Sequence, residues 1–192
     1  MKDLNTVELP ELRDGRLVVR PWRPDDAAAV AAMCDDEATS HWVPTPYPYT
    51  LADGEEWVGD AKRKWSEEHW ANFAVTEAAS DSLVGSISVR VDARLESGDI
   101  GYLVDYRWRR RGIAVGAVRL LAVWCLDVLD LGRVQIRCSP ENEASRRAAL
   151  ACGFQYEGTL RAENIMRERR DDSMVFSLLP SDPRPGYAPA PS

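Results

Sequence analysis

The sequence predicts an α+β domain built on a mixed, mostly antiparallel sheet, and three observations support this fold class. Three strand-like segments follow one another in mid-chain, at 72–77, 83–91 and 99–106. Strands and helices alternate only after these three segments, which favours an α+β domain over a doubly wound one. The one clear crossover leaves the third strand through a long helix and returns at 133–138, and right-handed connection makes these two strands parallel neighbours.

The first third of the chain is predicted from its prolines and acids. A strand at 16–22 is stopped by prolines, and paired acids favour the start of an alanine-rich helix that runs to about residue 34. Three prolines among aromatic residues exclude a regular helix or a central strand at 42–50. A second helix is predicted at 51–68, whereas the polar residues 1–14 are expected to form a flexible arm.

The second half contains the most regular helical pattern. Apolar residues recur at offsets of four, three and four residues from Val118 to Leu129, so a helix is predicted at 112–131. Gly132 follows this helix as a C-capping glycine does. A shorter helix and two strands complete the predicted elements, at 142–152, 154–160 and 174–179.

Length and charge limit what the protein can do. The chain has 192 residues and a formal net charge of −7, which suits one domain, at 15–180, and a proline-rich disordered tail at 181–192. Binding to nucleic acid or to an anionic membrane needs a basic surface, so neither is expected. The four separated cysteines are expected to be free thiols, and the two histidines lack metal-ligand spacing, so no metal is expected. No signal peptide or membrane span is visible, which predicts a cytoplasmic protein.

The segment R-R-R-G-I-A-V-G at 109–116 lies between a predicted strand and the long helix. Gly112 allows a tight turn and the close approach of a ligand to the backbone. The free N–H groups of the first helical turn, the helix dipole and the arginines together suit a pyrophosphate. The segment lacks the patterns of a Walker loop and of a Rossmann fingerprint, and from spacing alone a loop without a ligand stays equally open.

Four motifs in order give the chain a family resemblance. Arg109-x-x-Gly112-x-Ala114 resembles the R/Q-x-x-G-x-G/A signature of the GNAT superfamily of acyl-CoA-dependent N-acetyltransferases. D-I-G-Y-L-V at 99–104 resembles the strand before that signature, and S-P-E-N-E-A-S with G-F-Q-Y-E-G resembles its N-x-x-S…G-F-x-x-E-G continuation. The combination is similar to the RimJ/RimL-like branch of ribosomal-protein alanine and serine N-terminal acetyltransferases, and it covers residues 15–180.

The resemblance implies a GNAT fold, with six to seven strands splayed at the centre of the sheet and about four helices. Acetyl-CoA would be the co-substrate, with its pyrophosphate on the loop and its pantetheine arm in the splay. Leu103 and Val104 would pair with the arm through their backbones, and Asn142 would bond it near the thiol. The implied cofactor-binding residues are Leu103, Val104, Arg109, Arg110, Arg111, Gly112, Ile113, Ala114, Val115, Gly116, Asn142 and Ser145.

The family transfers acetyl directly to an amine, so a base must deprotonate the amine and an acid can protonate the leaving thiolate. The resemblance implies Glu157 as the base and Ser145 as the acid. Asp99 is the alternative base and Tyr156 the alternative acid. Structural readings also stay open, because Glu157 could be an exposed strand acid and Ser145 a first-turn residue of a helix capped by Asn142.

The acceptor is expected to contact Trp42 and Tyr47 in the proline-rich segment and Tyr102 on the strand before the loop. The branch favours the N-terminus of a protein or peptide as the acceptor amine. The alternatives are a small-molecule amine, such as a polyamine, amino acid or antibiotic, and a non-catalytic CoA-binding sensor. The expected assembly is a monomer or a homodimer.

Overall fold

A computed structural model of the protein describes residues 1–166, 169–184, 186 and 187. Eight strands of this described part form one sheet. They are β1 (Leu12–Arg13), β2 (Leu17–Pro21), β3 (Trp70–Glu77), β4 (Leu83–Asp92), β5 (Ser97–Val104), β6 (Arg133–Cys138), β7 (Gln155–Met166) and β8 (Arg169–Leu178). The α-helices of the same part are α1 (Ala27–Cys34), α2 (Glu37–Ser40), α3 (Leu51–Glu68), α4 (Ile113–Val123) and α5 (Glu143–Ala151).

The sheet has the order β1-β2-β3-β4-β5-β6-β8-β7, and β5 and β6 form a parallel pair within an otherwise antiparallel arrangement. The predicted α+β class and the predicted parallel neighbours are both confirmed. The strand count is slightly above the six to seven that the resemblance implied. The additional pairing is explained by β1, because a two-residue strand is too short to leave a hydrophobic pattern.

Local sequence fixes the helix boundaries. The Thr50 side chain caps α3 by accepting a hydrogen bond from the Asp53 N–H, and the Asp53 carboxylate accepts one from the Thr50 N–H, at 2.7 Å. The long helix departs from the prediction, because regular α-helix ends at Val123 and a π-helical turn, Trp124–Val128, follows. Apolar spacing did not distinguish these two geometries, since the π turn keeps its buried face on the core.

Helices cover opposite faces of the sheet. Tyr102 and Val104 of β5 pack with the cluster that contains Val118 of α4, whereas Leu103 packs with the cluster that contains Val30 of α1. Since successive residues of a strand point to opposite faces, α4 and α1 lie on different sides of β5. Buried aromatic side chains fill the larger cluster, among them Trp65, Phe73 and Trp124.

Residues 1–14 and the described part of the predicted tail contact the domain. Within residues 1–14, expected to be an arm, Leu4 is 4% exposed and Leu12 is 2% exposed. Within the predicted tail, Arg184 pairs with Asp127 at 2.7 Å, and the Tyr187 hydroxyl donates a hydrogen bond to the Cys152 carbonyl at 2.7 Å. The rest of that predicted tail, residues 185 and 188–192, lies outside the described residues.

The described residues contain no helix that is both long enough and apolar enough to cross a membrane. Over the same residues, histidine, cysteine and carboxylate side chains form no group of three or more that could hold a metal ion. The cysteines of the chain are free thiols, with Cys34, Cys125 and Cys152 buried and Cys138 partly exposed.

Candidate functional site

The two parallel strands at the centre of the sheet part after three residue pairs. The β5–β6 ladder runs from Ser97 opposite Arg133 to Asp99 opposite Gln135. Beyond that point β5 stays paired with β4 through residues 101–104, and β6 stays paired with β8. The strands therefore open towards their C-terminal ends and expose backbone groups there, as the splayed-sheet prediction required.

The glycine-containing loop lies at the mouth of this opening. Gly112 is the N-cap of α4 and has a φ of 75°, a left-handed conformation that favours glycine. A Cβ atom added to it would meet no atom closer than Arg16 Nη1, at 3.8 Å, so the surrounding packing leaves room above this residue. The glycine is required by the turn and leaves space in which a ligand can reach the backbone.

The first turn of α4 supplies fewer free donors than the motif suggested. The Gly116 N–H donates a hydrogen bond to the Gly112 carbonyl at 3.0 Å, so it belongs to the helix. Ile113, Ala114 and Val115 occupy the first three helical positions, whose N–H groups have no carbonyl within the helix to bond. These three groups, with the positive end of the helix dipole, are the donors that an anion could reach at this end of α4.

Gly116 has a packing role that the motif did not reveal. A Cβ atom at this position would lie 2.7 Å from Leu17 Cδ1 and 3.2 Å from Asp14 Oδ2. Glycine therefore lets α4 approach the turn between β1 and β2 closely. Gly116, which lies two residues beyond the signature, is therefore explained by helix–sheet packing.

Arg109 connects the loop to the segment before α3. Its Nη2 donates hydrogen bonds to Thr39 Oγ1 at 2.8 Å and Asp36 Oδ2 at 3.1 Å, and its Nε contacts the Val104 carbonyl at 3.4 Å. The Thr39 hydroxyl and, more weakly, Arg109 hold the pKa of Asp36 below its ordinary value. The structure thus turns Arg109 towards α2 and the end of β5.

The next two arginines remain available to a ligand at the loop surface. Arg110 has a left-handed φ of 62° and is exposed. The Arg111 guanidinium lies 4.9 Å from the centre of the Trp108 ring. These two charges, together with the N–H groups of the first α4 turn, suit a polyanionic ligand.

A hydroxyl pair spans the opening between β5 and β6. Tyr102 Oη on β5 lies 2.9 Å from Ser145 Oγ, and Ser145 is on α5, which follows β6. Asn142 caps α5, because its Oδ1 accepts a hydrogen bond from the Ser145 N–H at 3.0 Å. Burial raises the pKa of Tyr102 to about 12 and also raises the pKa of the nearby Cys138 thiol. The hydroxyls of Tyr102 and Ser145 are therefore both protonated at neutral pH.

Glu157 lies elsewhere, near the start of the outer strand β7. Its carboxylate accepts hydrogen bonds from Arg133 Nη1 at 2.8 Å and Arg133 Nη2 at 3.1 Å, and a further one from the Ser177 hydroxyl. Arg133 and Ser177, in that order, lower the pKa of Glu157 to about 2. The structure does not bring Glu157 together with Ser145.

Asp99 lies where the two strands part. It belongs to the last β5–β6 pair and accepts a hydrogen bond from Arg137 Nε at 2.8 Å through Oδ2. Its Oδ1 forms no hydrogen bond within the described residues. Tyr156, in contrast, is exposed on β7, where its hydroxyl bonds Thr159 at 2.8 Å.

A cavity of about 490 Å³ adjoins Asp99 on the polar face of β5 and β6, the face that carries Asp99, Gln135 and Arg137. It is lined by Glu68, Arg90, Val91, Asp92, Ala93, Leu95, Ser97, Asp99, Gln135 and Arg137. Sequence reasoning missed Arg90, Gln135 and Arg137. The alternation of R-V-Q-I-R-C, in which polar residues occupy every second position, is the signal that could have found two of them.

Trp42 and Tyr47 lie in the segment between α2 and α3 and are 40% and 51% exposed. The Trp42 ring packs edge-on against His41, with ring centres 4.5 Å apart. Neither side chain is among those that line the cavity. Tyr102, the third expected acceptor residue, contacts Ser145 instead.

Comparison with known proteins finds a family match over most of the domain. Residues 16–155 match the family described as acetyltransferase (GNAT) domain. An uncharacterized N-acetyltransferase, p20 from Bacillus licheniformis, is 28% identical over 169 residues, which is 85% of this chain and 93% of that protein. Ribosomal-protein-serine acetyltransferase from Escherichia coli K12 is 30% identical over 100 residues, covering 52% of this chain and 56% of that protein. The structure of the Microcin C7 self immunity acetyltransferase MccE, in complex with acetyl-CoA and AMP, has a TM-score of 0.79 at 18% identity, and the match covers 86% of this chain and 93% of that one.

Proposed function

The chain belongs to the acetyltransferase (GNAT) family, and from that membership we propose that it acetylates the free α-amine at the N-terminus of a peptide or protein. As a family member it is an N-acetyltransferase that uses acetyl-CoA as its donor. The similarity to a ribosomal-protein-serine acetyltransferase supports a protein acceptor. The observation that carries the acetyltransfer is the opening of β5 from β6 at the N-terminus of α4, whereas the peptide acceptor is supported by the similarity just given.

The donor site follows from the free backbone groups. The N–H groups of Ile113, Ala114 and Val115 bind the pyrophosphate, with charge from Arg110 and Arg111. The unpaired edge of β5 at residues 101–104 bonds the pantetheine arm as an added strand would. Acetyl-CoA would supply the thioester, and coenzyme A would leave as the free thiol once the acetyl group is transferred.

Asp99 fits the role of base better than Glu157. Both Glu157 oxygens already accept hydrogen bonds from Arg133, and a carboxylate with a pKa of about 2 takes up a proton poorly. Asp99 has a free oxygen at the point where the strands part and faces the cavity. It removes the proton from the acceptor ammonium, directly or through a water, and the neutral amine then attacks the thioester carbonyl.

Ser145 fits the role of acid, with Tyr102 as its positioning partner. The hydroxyl pair spans the slot in which the thioester sulfur would lie. As the carbon–sulfur bond breaks, Ser145 donates its proton to the departing thiolate and receives one from Tyr102. The phenolate is then reprotonated from solvent. The second proton that the nitrogen loses as the tetrahedral intermediate collapses passes to water, as does the proton taken up by Asp99.

A thiol-release assay with acetyl-CoA tests the function. Peptides beginning with Ala, Ser or Thr would be compared with polyamines, free amino acids and aminoglycosides, and we expect turnover on peptides. The same peptides blocked at their N-termini are the control and should release no thiol. Turnover confined to non-peptide amines would refute the acceptor, and binding of acetyl-CoA without turnover on any amine would favour a sensor.

Two variants separate the candidate bases. We expect Asp99→Asn to lower kcat by about 100-fold or more with little change in the Kd for acetyl-CoA. Glu157→Gln should keep most of the wild-type kcat. The opposite order of effects would return the role of base to Glu157.

A further inference from the structure

The cavity beside Asp99 holds more charge than deprotonation of an amine requires. Three carboxylates and two guanidinium groups line it, contributed by Glu68, Asp92, Asp99, Arg90 and Arg137. Buried or partly buried charges are normally paired with an opposite charge inside the protein. A charged group without one is the group with which a ligand of opposite charge can pair.

Most of these charges are already engaged within the protein. Glu68 pairs with Arg63 at 3.0 Å. Asp92 accepts hydrogen bonds from the N–H groups of Arg94 and Leu95, at 2.9 and 3.0 Å, and so closes the turn between β4 and β5. One oxygen of each acid, Glu68 Oε1 and Asp92 Oδ1, is therefore already engaged within the protein, and both acids shape the wall of the cavity.

Asp99 and Arg137, the two charged residues at the strand opening, pair with each other. Arg137 holds Asp99 on one side and Glu163 on the other. This arrangement fixes the Asp99 carboxylate against the sheet and neutralises Arg137. An anionic ligand entering the cavity thus gains little from Arg137.

Arg90 is different, because no carboxylate of the described residues pairs with it. Its guanidinium lies over the Trp70 ring, with Cζ 4.3 Å from the ring centre, which holds the planar group in place without neutralising it. Arg90 is also exposed and lines the cavity. It is a fixed positive charge open to a ligand.

The sheet register places this charge next to the candidate base. Arg90 on β4 is directly opposite Asp99 on β5, and Asp99 is directly opposite Gln135 on β6. Cβ atoms of directly paired residues lie about 5 Å apart on the same face of a sheet. A ligand whose amine lies at Asp99 can therefore reach Arg90 with a group only a few atoms away.

We propose that Arg90 is a specificity-determining residue that binds a carboxylate carried close to the acceptor amine. The substrate class is then a primary amine with a neighbouring carboxylate: a peptide whose first residue is Asp or Glu, or a free α-amino acid. The inference rests on the proposed acetyltransfer: an acidic peptide N-terminus narrows the proposed acceptor, and a free amino acid would replace it. Polyamines and aminoglycosides fit poorly, because they would place further positive charge against Arg90.

The test uses acceptors that are matched in size and differ in charge, in the thiol-release assay. Peptides beginning with Glu or Asp are compared with the same peptides beginning with Gln or Asn, and free L-glutamate forms a separate arm. We expect kcat/KM at least about tenfold higher for the acidic member of each pair, as for a charge-assisted contact. Preference for the acidic peptides identifies a peptide source, and a faster reaction of free glutamate identifies an amino acid source.

Variants assign the preference to Arg90. Arg90→Gln should raise KM for acidic acceptors about tenfold, leave KM for the Gln- and Asn-first peptides unchanged, and leave KM for acetyl-CoA unchanged. Arg90→Lys should restore part of the preference because it keeps the charge. The matched control is Arg94→Gln, which removes an exposed arginine from the neighbouring turn outside the cavity and should change none of these values.

The outcomes distinguish this inference from the proposed function. Equal kcat/KM for acidic and amide peptides, or an equal effect of Arg90→Gln on both, would overturn the carboxylate site while leaving acetyltransfer to peptides intact. If no amine releases thiol, calorimetric titration of Glu-first and Gln-first peptides into the CoA-bound protein still decides. Equal affinities would refute the inference, and tighter binding of the Glu-first peptide, lost in Arg90→Gln, would support it.

Discussion

Replacing Gly112 by valine should separate cofactor binding from folding. With a φ of 75°, Gly112 has a backbone conformation that costs an L-residue about 2 kcal/mol. A Cβ atom there meets nothing closer than 3.8 Å, so little steric cost is added within the protein. For a domain of this size, 2 kcal/mol corresponds to a fall in Tm of roughly 4–8 °C.

The effect on acetyl-CoA should be larger. The added side chain would occupy the space through which a pyrophosphate reaches the N–H groups of Ile113, Ala114 and Val115. Hydrogen bonds to a charged group contribute about 1.5–3 kcal/mol each, so loss of one or two weakens binding by roughly 100-fold, or about 2.8 kcal/mol. Calorimetric titration of acetyl-CoA into Gly112→Val measures the Kd, and a thermal melt measures stability.

The matched control is Gly15→Val. Gly15 has a φ of 86° and no atom within 4 Å of an added Cβ, so the backbone strain is similar. We expect a comparable fall in Tm with an unchanged Kd. Normal affinity in Gly112→Val, or equal loss of affinity in both variants, would refute the assignment of the α4 N-terminus as the pyrophosphate site.

Three further predictions concern the hydroxyl pair, Glu157 and a buried ion pair. Tyr102→Phe should lower kcat roughly tenfold and Ser145→Ala roughly 100-fold, each with unchanged KM for acetyl-CoA, and an unaltered kcat in Tyr102→Phe would remove the phenol from proton transfer. Glu157 has a folded pKa of about 2, below its ordinary value, so its salt bridge stabilises the protein above the unfolded pKa and this stability is lost as pH falls. The Tm difference between wild type and Glu157→Gln should therefore shrink between about pH 5 and pH 2. A Tm difference that stays constant over this range would contradict the prediction. Asp26→Ala should lower the free energy of unfolding by about 3–5 kcal/mol in a denaturant titration. The reason is that the guanidinium of Arg20, which is 3% exposed, loses its bidentate partner. A loss below about 1 kcal/mol would show that the pair is not important for stability.

The elements that sequence predicted best are those fixed by local chemistry. The helix predicted at 51–68 is α3, because Thr50 caps its first turn, and the strand predicted at 133–138 is β6, because polar and apolar residues alternate along it. The parallel pairing of β5 and β6 was also predictable, since a crossover of fixed hand leaves one arrangement. The loop at 109–116 was predicted from its R-x-x-G-x-A motif and from its place between a strand and a helix.

What the sequence could not provide depends on contacts between distant segments. Arg109 bonds Asp36 and Thr39, and no local pattern predicts a partner some seventy residues away. Gly116 follows from the position of Leu17, and Arg90 becomes noteworthy only when the register places it opposite Asp99. The order of the motifs along the chain predicted the loop, whereas the residues on the acceptor side could be identified only from the register of the strands.

The opening between β5 and β6 explains how one sheet can serve two substrates. Successive residues of a strand point to opposite faces, so Tyr102 faces the side with α4 and α5 while Asp99 faces the cavity. Where two strands are paired, their hydrogen bonds separate the faces, and at residues 101–104 β6 no longer forms that barrier. Direct transfer needs the thioester and the amine to meet at one point. A thioester approaching from the α4 side and an amine approaching from the cavity side would meet where the ladder ends. Asp99 and Tyr102, the positioning partner of Ser145, accordingly lie on the same strand and on its opposite faces.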